Sequence, residues 1–266
     1  MKRIFKSYLI KLLSGVNAFP TSATDQNKLQ SLLHKLYPIA CNKNLIRLGP
    51  KGDGGYLVPD DLVGIEACFS PGVGLISGFE KDCAELGMKV FLADKSIDKP
   101  ADQHELMYFT KKFVGTTSNN DFMTLDSWVA SSLPTKNSDL LLQIDIEGYE
   151  YEVFLSVSDV LMRRFRAIIA EFHKLDQLFS MPFYTLAGRV FDKILQTHSC
   201  VHIHPNNCCG SLQKNKITIP RTMEFTFLRN DRIERTSYQQ VFPNPLDCDN
   251  TPNPTLTLPK CWYSQK

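Results

Sequence analysis

Three carboxylates fall within the segment Gln143-Ile144-Asp145-Ile146-Glu147-Gly148-Tyr149-Glu150, directly behind the apolar run Leu140-Leu141-Leu142. An aspartate at the end of a covered strand is anchored on one side and open on the other. Beside a cationic ligand it gains from the neighbouring positive charge. Beside a hydroxyl it can orient the acceptor or take its proton. Glu147 and Glu150 have a second explanation, as acids that complement a helix N-terminus. Asp145 fits that explanation less well.

A second group lies upstream. Gly72-x-Gly74 follows the apolar residues 65–69 and Ser70-Pro71. Small residues let backbone approach a ligand, and a helix start favours negative charge. The third glycine of the dinucleotide fingerprint is missing, and an ordinary tight turn would also use these glycines. Asp94 closes the next apolar run, about 20 residues on, where an acid can hydrogen-bond the ribose hydroxyls of an adenosine ligand. The alternative for Asp94 is a helix cap or a solvated turn. Glu80 reads as part of a capping box, Ser77-Gly78-Phe79-Glu80.

The third group is Glu171, His173, His202, His204, Asn206, Asn207, Cys208 and Cys209. His202 and His204, two apart on a strand, share a face. With Cys208 and Cys209 they offer soft zinc ligands, though at no standard spacing. The competing reading makes His173 and His204 part of an active-site wall, with His173 the first choice for a base and His204 the second. Structural histidines with satisfied rings remain an alternative for both. Gly52-Asp53-Gly54-Gly55-Tyr56 reads either as a loop closing over ligand, with Asp53 and Tyr56 as substrate contacts, or as a plain turn.

These groups need elements to hold them. Leu29, Leu32, Leu33, Leu36 and Tyr37 recur at helical spacing over 25–37, and Pro38 stops the helix. Short apolar runs at 65–69, 89–93, 107–114, 140–144, 167–172, 200–204 and 223–228 read as strands. Helices are predicted at 77–86, around Phe122, Leu125, Trp128 and Val129, and from Pro182 onward. The alternation argues for an α/β fold, a mostly parallel sheet with helices on both faces, binding ligands beyond the carboxyl ends of its strands. The expected layout is a helical extension over 1–40, an α/β domain over 41–235 and a Pro-rich tail over 236–266, irregular and lying over the surface.

The segment from Leu140 to Val153, an apolar strand followed by Asp145-Ile146-Glu147-Gly148-Tyr149-Glu150-Tyr151-Glu152-Val153, resembles the signature of FkbM-type methyltransferases. Thr124-Leu125-Asp126 resembles a second segment of that family, and the likeness spans roughly residues 65–175. It implies a Rossmann-like class I methyltransferase with a seven-stranded sheet and S-adenosylmethionine as cofactor. The acceptor would be a hydroxyl of a sugar, glycan or related natural product. Carried over by position, Gly72 and Gly74 approach the methionine half of the cofactor and Asp94 binds ribose. Asp145 and Glu147 then face the reaction centre. There is one departure: such enzymes often place an acid before the glycines, where this chain has Ser70-Pro71. Glu80 is the acid that could stand in.

A sugar hydroxyl holds its proton far above neutrality, so a base or a divalent metal clamping acceptor oxygens must weaken that hold. Asp145 with Glu171 or His173 could ligate such a metal. A nicotinamide-dependent oxidoreductase is the rival enzyme, disfavoured by the two-glycine loop. A non-catalytic Rossmann-like binding domain is the rival without chemistry.

Composition narrows the field further. Of 266 residues, 43% are hydrophobic and 22% charged, which suits a large folded core and excludes wholesale disorder. A net charge of +2 argues against nucleic acid as the main partner. Eight irregularly spaced cysteines without a CxxC pair suggest a reducing, cytoplasmic setting with few or no disulfides. No apolar run reaches the ~18 residues of a membrane span. Residues 1–13 mix Lys2, Arg3, Lys6 and Lys11 with apolar residues. They read as a helix packed on the domain or as a weak contact with a membrane surface.

Overall fold

Mostly apolar runs become central strands. Leu140–Ile144 and Phe165–Phe172 are buried at every position, as strands covered on both faces must be. The computed structural model describes residues 20–234 and 237–264. The expected membrane-surface helix at 1–13 lies outside them. No helix among the described residues is long and apolar enough to cross a membrane.

Seven strands form the main sheet: β1 (Ala67–Pro71), β2 (Lys89–Ala93), β3 (Met107–Thr110), β4 (Leu140–Ile144), β5 (Phe165–Phe172), β6 (His198–Pro205) and β7 (Met223–Arg229). Their order is β6-β7-β5-β4-β1-β2-β3. Pairing is parallel from β3 through to β5, while β7 runs antiparallel between β5 and β6. This is the expected Rossmann-like α/β fold. The chain moves outward one way through β2 and β3, then crosses back to place β4 on the other side of β1. The ends of β1 and β4 therefore frame the switch point where such sheets bind ligands.

Alternate residues of β1 serve opposite faces. Phe69 joins a core with Trp128, Phe154 and Phe172. Cys68 joins a second core with Phe79, Val90 and Leu92. Helix α1 (Gln26–Lys35) is capped by Asp25, which accepts from the Asn27 and Lys28 N–H groups, and it buries Leu29, Leu32 and Leu33. Helix α2 (Gly78–Glu85) follows β1. Helix α3 (Leu125–Ser132) starts at Thr124, whose hydroxyl accepts from the Ser127 N–H. Asp126 accepts from the Ser158 N–H at 3.0 Å. The Thr124-Leu125-Asp126 segment thus shapes a helix start and ties it to the next crossover. Helices α4 (Glu150–Ser156), α5 (Asp159–Met162) and α6 (Met181–Leu195) complete the layers.

Four expectations change. The single strand read over 107–114 breaks at Lys111-Lys112, where the Lys112 N–H bonds the Thr110 carbonyl. Its second half, Phe113–Gly115, pairs in parallel with Phe122–Thr124, so Phe122 lies in a strand rather than a helix. The capping box at Ser77 does not form: Ser77 turns to the backbone and carboxyl of Asp102, and Glu80 turns inward. The tail is irregular, as expected, but not wholly superficial. Leu258 and Trp262 are buried in the main core, and the Trp262 indole N–H donates to the Thr218 carbonyl at 3.1 Å.

Candidate functional site

A cavity of about 700 Å³ opens at the switch point between β1 and β4. Its floor is the loop after β1. Gly72 has φ +89°, and its N–H bonds the Ala93 carbonyl at 2.9 Å. A Cβ there would stand 1.5 Å from the Asp145 carbonyl oxygen. Only glycine allows the two strand ends to approach so closely. Gly74, with φ +53°, has nothing within 4 Å of its Cβ direction and lines the cavity.

Asp94 lines the cavity from the end of β2. One oxygen accepts from the Ser96 N–H at 2.7 Å and its hydroxyl at 2.6 Å; the other faces the Gly74 N–H at 3.3 Å. Glu80 reaches the cavity from α2. It contacts the buried Ser70 hydroxyl at 2.5 Å, and Ser70 also bonds the Gln143 side chain at 2.6 Å. Burial pushes the Glu80 carboxyl up to about 7, against the opposing effect of the Ser70 contact. Ser70 itself lies behind the wall and supports Glu80.

The opposite wall carries the acids. Asp145 and Glu147 line it with Ile146. Glu147 adopts φ +58°, rare for a residue with a side chain, and its carboxylate is 86% exposed. Glu150 is fully buried. Its Oε1 accepts from the Ile146 and Gly148 N–H groups, both at 3.0 Å, and meets His173 Nδ1 at 3.1 Å. Glu150 therefore does more than complement a helix start. It closes the turn after β4 and orients the imidazole. His173 Nε2 then points at carboxylates, with Glu147 at 3.6 Å, Glu171 at 3.7 Å and Asp145 at 3.8 Å.

These acids raise one another. Burial, and next the Glu171 charge, holds Asp145 well above the usual carboxylate range, though His173 opposes this. Burial and the neighbouring Glu224 do the same to Glu171, against a hydrogen bond from Asn206. Burial alone would lower His173, but the Glu150 contact and the charges of Glu150, Asp145 and Glu147 raise it. The Tyr56 hydroxyl is pushed well above its ordinary value by burial and by Asp145 and Glu171.

The glycine loop at 49–55 is the tip of a hairpin between Leu45–Leu48 and Tyr56–Pro59. Arg47 staples it by donating to the Pro50 and Gly52 carbonyls, each at 2.8 Å. It brings Asp53 and Tyr56 to the cavity.

His204 is not brought there. Strand β7 inserts between β5 and β6, so His204 sits two strands from His173, about 10 Å at ordinary strand spacing. It faces Asp247 of the tail at 3.6 Å, and its pKa rises because Asp247 and Glu224 outweigh the opposing effect of burial. His202 Nε2 bonds Asp247 at 2.9 Å. The zinc reading of His202, His204, Cys208 and Cys209 therefore fails. His202 is satisfied by a carboxylate, and the two cysteine sulfurs contact each other at 2.7 Å. All eight cysteines are free. Among the described residues the set with metal-ligating reach is Asp145, Glu171 and His173, whose ligand atoms lie within 4.8 Å of one another.

Several lining residues carry no sequence signal. Phe113, Val114 and Phe122 form an apolar side, and Gln143 and Ser96 are polar neighbours. Glu150 belongs to the carboxylate segment singled out in the sequence, where it reads as readily as a helix-start acid.

A solved structure from Anabaena variabilis ATCC 29413, described as a candidate methyltransferase from an antibiotic biosynthesis pathway, shares 13% identity at a TM-score of 0.26. The match covers 50% of this chain and 49% of that one, so the chain spans about half of the neighbour's length. That likeness is too slight to bear on activity. No curated protein matches. The profile of the methyltransferase FkbM domain, by contrast, matches residues 11–198, taking in β1 to β5, the glycine loop and the acidic turn. The chain belongs to the FkbM methyltransferase family.

Proposed function

We propose that this protein transfers a methyl group from S-adenosylmethionine to a hydroxyl of a sugar, glycan or related natural product. The observation that carries the reading is the pairing of a glycine floor with an acid wall across one switch point. Gly72 and Gly74 lie on one side, with Asp94 at the end of β2, and Asp145 lies on the other.

The residues fit the cofactor. A cavity of about 700 Å³ lies in the range of small-ligand sites. Asp94, already aligned by Ser96, is the ribose contact. The open backbone at Gly72 to Gly74 suits the methionine half, and Glu80 is the acid behind it. The apolar side at Phe113 and Phe122 suits a planar base. When bound, the cofactor supplies a methyl group on a positively charged sulfur that is already a good leaving group.

The protein's share is alignment, exclusion of water and activation of the acceptor. Asp145, Glu171 and His173 form the group that weakens the acceptor's hold on its proton. Asp53, Tyr56 and Glu147 stand where an acceptor would enter.

Calorimetry with S-adenosylhomocysteine and with NADH tests the reading. Binding of the first alone is expected. Binding of NADH alone points to an oxidoreductase, and binding of neither to a domain without this chemistry. A labelled-methyl screen over glycans then identifies the acceptor.

A further inference from the structure

The acid wall gathers four carboxylates around one imidazole. Glu150 accepts from His173 Nδ1, which leaves Nε2 facing Asp145, Glu147 and Glu171. A neutral imidazole donating at Nδ1 presents a lone pair at Nε2, which repels carboxylates. Among the described residues, His173 is the sole ion-pair partner of Asp145, Glu150 and Glu171; no lysine or arginine reaches them.

Buried oxygens of this wall lack hydrogen-bond partners. Glu171 is 4% exposed, and its Oε2 is buried without a hydrogen-bond partner. Asp145 Oδ1, the atom 3.8 Å from His173 Nε2, is also without one. Buried oxygens with free lone pairs are costly unless something meets them.

We propose that Asp145, Glu171 and His173 bind one divalent metal ion beside the cavity. The spacing suits it. Ligands about 2.1 Å from an octahedral ion lie about 3.0 Å apart when adjacent and about 4.2 Å apart when opposed. The two His173 Nε2 separations, 3.7 Å and 3.8 Å, are about 0.7 Å wider than the adjacent spacing, so the three side chains draw together on binding the ion. Glu150 is the carboxylate that fixes the tautomer of a ligating histidine. One imidazole with two carboxylates suits a first-row ion such as Mn²⁺. Three protein ligands leave positions for water and for acceptor oxygens.

Its role in catalysis rests on the methyl-transfer reading; binding of the ion does not. In that role the ion draws electron density from the acceptor hydroxyl. The oxygen gains the methyl group and releases its proton to the exposed Glu147 carboxylate. The sulfonium becomes a neutral thioether. His173 is then a ligand and not itself the proton acceptor.

The test is Mn²⁺ titration of the full chain, without donor or acceptor, followed by electron spin resonance. One bound ion is expected, with nitrogen coupling in the spin-echo signal that His173→Ala removes. Glu171→Gln retains the oxygen that accepts from Asn206 and should weaken binding at least tenfold; Asp145→Asn should do the same. S-adenosylhomocysteine binding, measured on each variant, reports folding and tests the methyl-transfer reading separately. No Mn²⁺ binding by the unaltered chain at millimolar metal overturns the proposal, even where S-adenosylhomocysteine binds. So does binding that survives all three substitutions. Mn²⁺ binding at this site without S-adenosylhomocysteine binding supports the ion and removes its assigned role.

Discussion

The Asp145 carbonyl oxygen occupies the space that a side chain on Gly72 would need, 1.5 Å from a Cβ built there. The loop floor and the acid wall are thus fixed against each other through backbone. Gly72→Ala must displace one strand end and also hold alanine at φ +89°. We expect a loss of about 2–4 kcal/mol in folding stability and weaker S-adenosylhomocysteine binding. Urea unfolding and calorimetry measure the two. A variant as stable as the parent contradicts the rigid junction.

Asp94 has its own backbone and hydroxyl donors, so its carboxylate is held ready before ligand arrives. Asp94→Ala should weaken S-adenosylmethionine binding by roughly 1.5–3 kcal/mol, the worth of a charge-assisted hydrogen bond. Unchanged affinity in a folded variant removes Asp94 from the cofactor site.

His173 and His204 separate cleanly. His173→Ala should lower turnover by about 10²–10⁴-fold, the usual scale for loss of acceptor activation, with S-adenosylhomocysteine affinity nearly unchanged. Asp145→Asn should also lower turnover. His204→Ala, two strands away and paired with Asp247, should leave most of it. Full turnover in His173→Ala with loss in His204→Ala reverses the assignment.

Glu80 gives a pH dependence of stability. Its carboxyl moves from an ordinary 4.5 to about 7 on folding. Between those values the folded chain keeps a proton that the unfolded chain has released. Stability therefore falls as pH rises across that window, by about 3 kcal/mol at most, and stays lower above it. Glu80→Gln, always neutral, should lack this decline. Urea unfolding at about pH 5 and about pH 8 compares the two chains; identical declines would show that Glu80 is ionised throughout.

Much of the candidate site is legible in the sequence. Leu140 to Ile144 announces a strand covered on both faces, so Asp145 must stand at its end. The same logic placed Asp94 after residues 89–93. What periodicity could not show is strand order. The insertion of β7 between β5 and β6 is a property of long-range pairing, and it alone moves His204 away from His173. Nor could spacing reveal that Glu150 turns back to bind the Ile146 and Gly148 N–H groups and the His173 ring. That depends on the left-handed turn at Glu147 and Gly148. Trp262 sits in a stretch without periodicity; its ring packs into the main core and its indole N–H meets the Thr218 carbonyl, neither of which any local pattern shows.

The seat of that tryptophan bears on how the protein is made. Trp262 and Leu258 share one core with Leu29 and Leu33 of the first described helix. The earliest and latest parts of that core are therefore separated by most of the chain. Contacts so distant in sequence form late, after the intervening loops have closed. While translation is under way, α1 lacks the part of its cover that residues 258–262 supply. Full closure can begin only once residues 258–262 have left the ribosome, so the newborn chain passes through a stage in which a chaperone has an apolar surface to hold.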